Sequence, residues 1–319
     1  MSVSSAISDA RPAKRRWRWE RLAPLVLLSP SLILVAIFVY GFIAITAYTS
    51  LSNWSSMAVD LSYRGLSVYT QLFQHFRFQA DIRNLLVFTI FFLAGCVSLG
   101  LLLAILVDQH IKGETFFRNI FLFPMALSFI VTGVVWRWIF TPTAGINQLL
   151  RELGLGSLAW GWATEPRVVP GWPVLSIRFG VPLAIFPLVI AAVWQLSGFA
   201  MAMFLAGLRA IPEEIREAAR VEGASEVQIY RHVLIPILRP VFVSLLFVLG
   251  HTSLKIFDLV YAMTGSGPAF ATDMPSMFMF DTTFTANQFN RGAAIAMMML
   301  IMVATVVIPY LRLSLRGED

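Results

Sequence analysis

An all-α membrane protein with six transmembrane helices is the fold class this sequence predicts. Of its 319 residues, 58% are hydrophobic and only 13% are charged, against about a quarter charged in a soluble globular domain. Mean hydropathy is +0.75, so the chain lacks the polar groups to cover a water-facing surface. Six stretches are long and apolar enough for a spanning helix of about 20 residues. Together these observations exclude an ordinary soluble enzyme, a disordered chain and a nucleic-acid-binding module. The net charge of +6 then serves to orient loops and to meet anionic membrane lipid.

The spans are expected at Pro24–Tyr48, Leu85–Val107, Asn119–Phe140, Val181–Leu208, Leu234–Met263 and Ala293–Leu313. The third carries Arg137 near its end, read as an interface anchor, and the fifth contains Lys255 and Asp258. The first follows the basic run Lys14-Arg15-Arg16-Trp17-Arg18. Its apolar core is too long for a signal peptide and five more spans follow, so it reads as an uncleaved helix. The organisation is a basic segment 1–23, a membrane domain 24–313 and a short tail 314–319.

Lysine and arginine set the orientation. With the N-terminus inside, fifteen of them fall in inner segments, in the clusters 11–21, 112–118, 209–239 and 312–316. Seven fall outside: Arg64, Arg77, Arg83, Arg151, Arg167, Arg178 and Arg291. Both termini are therefore expected in the cytoplasm. Outer segments 49–84 and 141–180 are long enough for short surface helices. Tyr69, Leu72, Phe73 and Phe76 recur at helical spacing, as in a helix lying on a membrane surface, and Trp160, Trp162 and Trp172 suit an interfacial aromatic belt. The single cysteine, Cys96, sits in an apolar run and reads as a packing residue. The four histidines, at 75, 110, 232 and 251, show no metal-ligand spacing.

The most informative segment is the inner loop 211–240. Pro212 suits the first position of a helix, and Glu213 and Glu214 complement its dipole. Ile215, Ala218, Ala219 and Glu222 fall near one face. Gly223 supplies a left-handed cap, Ser225 with Gln228 completes a capping box, and Pro236 and Pro240 bend the chain into the fifth span. A short helix, a tight turn and a second helix result. The first helix is suited either to a groove on another protein or to bracing the bundle.

At these residues the chain resembles the permease subunits of binding-protein-dependent ABC importers. Their pattern is Glu-Ala-Ala, three residues, Gly, nine residues, Ile, any residue, Leu, Pro. Here it stands as Glu217-Ala218-Ala219, Gly223, Val233, Ile235 and Pro236, with two conservative departures. Gly65-Leu66 with Tyr69, Leu72, Phe78 and Asn84 is similar to the segment before the second span of carbohydrate-type permeases. Gly145-Ile146-Asn147 through Gly154-Leu155, Phe257-Asp258, and Thr264-Gly265-Ser266-Gly267-Pro268 with Thr272 are similar to later parts. Ser266 replaces a glycine in the last of these. Within the group the chain looks most like the subunits for glucose and α-glucosides.

The resemblance implies a type I ABC importer permease core in the cytoplasmic (inner) membrane of a bacterium or archaeon. It implies that Glu213–Gly223 couples to a separate ATPase, with Glu213, Glu214, Glu217, Ala218, Ala219, Arg220 and Gly223 as coupling residues. It implies three kinds of partner: a second homologous permease, an ATP-binding cassette dimer and an extracytoplasmic sugar-binding protein. A P-loop needs Gly-Lys followed by Ser or Thr, and the three lysines follow Ala13, Ile111 and Leu254. ATP and Mg²⁺ thus belong to a partner, and this chain is expected to bind no cofactor or metal and to catalyse nothing. The fourth and fifth spans resemble those lining the sugar path. On the fourth, Gln195 and Phe199 share a face, suited to hydroxyls and a sugar ring; a helix-to-helix hydrogen bond is the other role for Gln195. On the fifth, Thr252, Ser253 and Ile256 share a face opposite His251, Lys255 and Asp258. Lys255 and Asp258 are placed either to pair with each other or to meet substrate.

Two other functions are weighed. A proton-coupled secondary transporter needs an internal carboxylate or histidine relay, for which only Asp258 and His251 qualify. An intramembrane enzyme needs a nucleophile–base set or a metal cluster, and no such motif occurs in the sequence.

Overall fold

The computed structural model describes residues 27–109 and 112–316. The basic run 14–18 and the last three residues of the tail lie outside them. Among the described residues, four helices are long and apolar enough to cross a membrane: α1 (Leu27–Ser50), α3 (Phe76–Asp108), α7 (Ile185–Arg209) and α13 (Phe289–Arg316, apolar to Tyr310). Two bent pairs raise the number to six. Between α1 and α3 lies α2 (Ser67–Gln74).

The centre of the bundle is α3 against α7. Phe88, Phe92, Cys96 and Ala104 of α3 are buried with Leu188, Ala192, Ala200, Met201 and Phe204 of α7. In lipid, apolar burial supplies no hydrophobic drive, so close packing and polar contacts hold such helices together. α1 stays outside this core: its residues up to Tyr48 are exposed or half-buried, and only Thr49 and Ser50 are buried. There Ser50 Oγ meets the Tyr69 hydroxyl at 2.7 Å. A second, smaller core joins Val68 and Leu72 of α2 to Phe78, Phe278, Ala294 and Ile295. Leu72 therefore faces protein, while Phe73 and Phe76 are exposed.

The third span differs from the expected continuous helix. It is α4 (Glu114–Leu122) with a 3₁₀ turn (Phe123–Ala126), then α5 (Phe129–Ile139), and the two parts meet at 97°. Pro124 sits in the turn, and Ser128 Oγ caps α5 by accepting from Val131 N at 3.2 Å. Hydropathy counts these polar and proline positions as minor interruptions, whereas the backbone treats them as a stop and a restart.

The fourth span starts at Ile185, not Val181, because residues 168–182 form a hairpin. Strand β1 (Val168–Val174) pairs antiparallel with β2 (Ile177–Pro182), with a bulge between Pro170 and Trp172. Pro170 and Pro173 bar a helix there, and the β-branched residues favour extended chain. Before the hairpin, α6 (Gly145–Glu152) is the surface helix expected in this loop. Asn147 there is buried; its amide donates to Trp160 O at 2.8 Å, and it accepts from Trp162 Nε1 at 2.9 Å. Two of the three loop tryptophans thus pin the loop itself.

The fifth span is also divided. After α8 (Glu213–Val221) comes α9 (Glu226–Ile237), which turns 66° into α10 (Arg239–Leu254). The chain then breaks at Lys255–Phe257 before α11 (Asp258–Met263), and α12 (Pro275–Phe280) precedes α13. The break separates Lys255 from Asp258. Both are exposed, and among the described residues no ion pair joins them.

The elbow of the third span rests on α7. A β-carbon on Gly198 would lie 1.9 Å from Phe121 O, and one turn earlier Gln195 Nε2 donates to Leu127 O at 2.8 Å. Gly198→Ala must push the elbow away, an overpacking cost of about 1–3 kcal/mol. Its melting temperature in detergent should fall clearly below that of the parent. Gly250→Ala, where a β-carbon meets nothing within 4 Å, should not lower it. Equal melting temperatures for the two variants would contradict this packing.

Candidate functional site

The 211–240 loop folds as the expected short helix, tight turn and second helix, except that Pro212 precedes the first helical position it was expected to fill. Pro212 is the N-cap of α8, Glu213 and Glu214 occupy its first turn, and Arg220 its last. Gly223 has φ +84°, where a side chain is strained. Its N–H reaches Arg220 O at 3.0 Å and Ala224 N–H reaches Ala219 O at 3.1 Å, the paired bonds of a Schellman cap. Ser225 N then donates to Gln228 Oε1 at 2.8 Å, opening α9.

The faces of α8 divide sharply. Glu214, Ile215, Glu217, Ala218, Val221 and Glu222 are exposed, Val221 by 89%. Ala219 is half-buried against the core. Arg220 bridges Glu213 at 3.2 Å and Glu226 at 2.9 Å, tying α8 to α9 across the turn. The Glu226 hydrogen bond raises the Arg220 pKa above its ordinary value. Exposed pairs of this kind contribute little stability, so this one mainly holds the turn's geometry.

Arg216, Asp108 and Tyr230 were not anticipated as a group. Arg216 Nη1 bonds Asp108 Oδ2 at 2.8 Å, its Nη2 donates to Leu208 O at 3.1 Å, and the Tyr230 hydroxyl donates to the same Asp108 oxygen at 2.8 Å. Burial works against the Arg216 charge, but the Asp108 hydrogen bond and carboxylate outweigh it and raise its pKa. The one signal in the sequence is an acid placed directly after the apolar run ending at Val107.

At the other end of α3 stands a second polar cluster, also missed. Arg77 bonds Asp273 at 2.5 Å and Asp281 at 2.6 Å, and its guanidinium lies over the Phe270 and Phe278 rings. It also donates to Ser266 Oγ at 3.2 Å, a contact that glycine at this position would not make. Asn84 Nδ2 donates to Phe270 O and Asp273 O, and Arg83 Nη1 donates to Arg178 O of the hairpin at 2.7 Å. Asp81, fully buried, sets its carboxyl against that of Asp273.

The residues expected along a sugar path are distributed unevenly. Gln195 is 2% exposed and bonds the elbow. Ser253 is buried, accepting from Thr89 Oγ1 at 3.0 Å and donating to Gly250 O at 2.8 Å. Ile256 is buried and its carbonyl accepts from Ser276 Oγ. Phe199 and Thr252 are half-buried, and Lys255 and Asp258 are exposed. Among the described residues no group of three or more His, Cys, Asp or Glu could hold a metal ion.

Bundle and loop define a multi-pass membrane protein that carries a short, capped helix outside its apolar core. Residues 96–315 match the family described as binding-protein-dependent transport system inner membrane component. The chain belongs to that family and is a permease subunit of an ABC importer. It is 38% identical over 296 residues to a probable ABC transporter permease protein of Pyrococcus horikoshii, covering 92% of this chain and 96% of that one. The xylose/arabinose import permease protein of Haloferax volcanii is 35% identical over 282 residues, 88% of this chain and 84% of its own. The trehalose/maltose transport system permease protein of Thermococcus litoralis is 27% identical over 309 residues, 96% and 98% of the two chains. In fold, the chain matches the crystal structure of a bacterial ABC transporter involved in the import of the acidic polysaccharide alginate. That match has a TM-score of 0.75 at 18% identity and covers 95% and 99% of the two chains.

His75, between α2 and α3, provides a pH test. Its Nδ1 caps α3 by accepting from Arg77 N at 3.3 Å, which requires the unprotonated nitrogen. Burial, then Arg291 and Arg77, push its pKa below the ordinary 6.5. The folded state thus favours neutral imidazole. The associated stability is fully present above the unfolded pKa and is lost as pH falls from there through the lower folded pKa. The melting temperature should drop as pH falls below the unfolded imidazole value of about 6.5. His75→Asn, which keeps a capping oxygen, should flatten that drop; an unchanged pH profile would contradict the assignment.

Proposed function

We propose that this chain forms half of the translocation path of an ATP-driven sugar importer and is driven through its 211–223 helix by a separate ATPase. The observation that carries the reading is the division of α8: Arg216 is held in the bundle, while Glu214, Glu217, Ala218 and Val221 are presented outward. Ala218 at the centre of that face lets a partner approach closely, and the two glutamates offer charge to basic groups around it. The complete partnership would be a second homologous permease, an ATPase dimer holding ATP and Mg²⁺, and an extracytoplasmic sugar-binding protein. The membrane would be the cytoplasmic one of a bacterium or archaeon, with α8 and both termini on its inner side. Support for a sugar comes from relatives named for xylose/arabinose and trehalose/maltose transport.

In this reading the chain hydrolyses nothing. Closure of the ATPase dimer moves α8, and the spans alternate between inward and outward access. The path would run beside α7 and α10, with Phe199 and Thr252 the half-buried groups nearest this role and Lys255 and Asp258 exposed charges at the break after α10.

Co-purification with the neighbouring permease and ATPase tests the docking face. Ala218→Trp adds bulk to an exposed position, so the chain should keep its melting temperature and lose the ATPase. Gly223→Pro imposes a φ of about −65° where the turn needs +84°, and should abolish ATP-driven uptake. Retention of a fully coupled ATPase by both variants would overturn the reading.

A further inference from the structure

Helix α8 is nine residues long, and its one buried residue is a charged one, Arg216. What Arg216 reaches is unusual in the same way. Asp108 ends α3, where the helix dipole disfavours a carboxylate, so α3 itself gains nothing from an acid there. The acid is nevertheless 2% exposed and takes two hydrogen bonds on one oxygen, from Arg216 of α8 and Tyr230 of α9. The other arm of the guanidinium reaches the Leu208 carbonyl in the last turn of α7. One ion pair thus gathers α3, α7, α8 and α9.

These four elements are not equivalent as receivers of motion. α7 reaches α8 through the short link Ala210–Pro212, and α9 turns 66° into α10. Of the four, α3 is the longest, unbroken for 33 residues, about 50 Å at 1.5 Å per residue, against 25 residues for α7. At its far end Arg77, Arg83 and Asn84 grip the 270–281 segment and the hairpin. A buried ion pair is a poor source of net stability compared with apolar packing, but it fixes geometry, because removing either partner strands a charge. An apolar contact at the same place would let α8 slide.

We propose that Asp108, Arg216 and Tyr230 are positioning residues of the transport cycle: they strap α8 to α3, so that displacement of α8 is delivered along α3 to the polar cluster at its far end. The proposal rests on the reading of α8 as the ATPase-docking helix, and the test separates the two.

Hydrogen–deuterium exchange is measured on the purified complex with its second permease and ATPase, with and without Mg·ATP plus vanadate. In the parent complex, nucleotide changes exchange in α8 and also in residues 76–84. In Asp108→Asn the α8 response persists, and the response at 76–84 falls by about fivefold, the low end of measured coupling between sites. Asp108→Asn with Arg216→Gln loses no more than the single change, because the pair acts as a unit. Tyr230→Phe removes one hydrogen bond, serves where the charge variants fail to assemble, and gives a partial loss. A parent-sized response at 76–84 in the assembled variants overturns the strap. So does a parent complex whose α8 responds while 76–84 does not. If α8 itself shows no nucleotide response in the parent complex, the docking reading fails and the strap with it.

Discussion

Arg216 is the only side chain that α8 buries, and α3, α7 and α9 each bring a group that helps keep its charge satisfied. Glu213 of α8 itself stands 3.6 Å from Arg216, and the nearest carboxylate, at 2.8 Å, is that of Asp108, which belongs to the longest unbroken helix among the described residues. Tyr230 saturates the same oxygen from a third element. In a membrane protein such a cluster is costly to misplace. An unpaired buried ion loses several kcal/mol (~3–5 for a broken pair), whereas an apolar contact shifted by one position loses little. The ion pair therefore sets where α8 sits, and the apolar contacts accept that placement.

The same logic operates at the opposite end of α3. There the charges belong to Arg77, Asp273 and Asp281, and the neutral amide of Asn84 ties down two backbone carbonyls. Between the two polar ends lies an apolar seam with α7 that has no polar specificity beyond shape. Polar clusters at the ends with packing between them are what a helix needs to act as a lever. The ends determine what moves with it, and the close-packed middle resists bending.

The sequence made some of these features easy to read and hid others, for physical reasons. Helix α8, its Gly223 cap and the Ser225–Gln228 box were legible because capping chemistry is local: each residue's role is set by neighbours within five positions. Four spans were legible because their length and hydropathy exceed what any other element requires. The elbow at Pro124–Ser128 and the break at Lys255–Phe257 were less legible, because averaging over a window hides a stop inside an apolar run. The hairpin 168–182 was hidden by Trp172 and its prolines, which read as interface and loop. The Asp108–Arg216 pair spans 108 positions, and nothing local in either residue points to the other. Gln195 was visible as a polar group on an apolar helix, but only the fold shows that its amide is spent on Leu127 O.

The strap makes α8 and α3 move as one body. Spin labels at Val221 on α8 and Leu106 on α3, both exposed positions, allow their separation to be measured by pulsed electron paramagnetic resonance in the assembled importer. The account predicts that the distance stays within about 2 Å between the nucleotide-free and ATP-bound states, the scale of shifts between packed helices. A change of about 5 Å, one helical turn, would show that α8 slides past α3 and would contradict the strap.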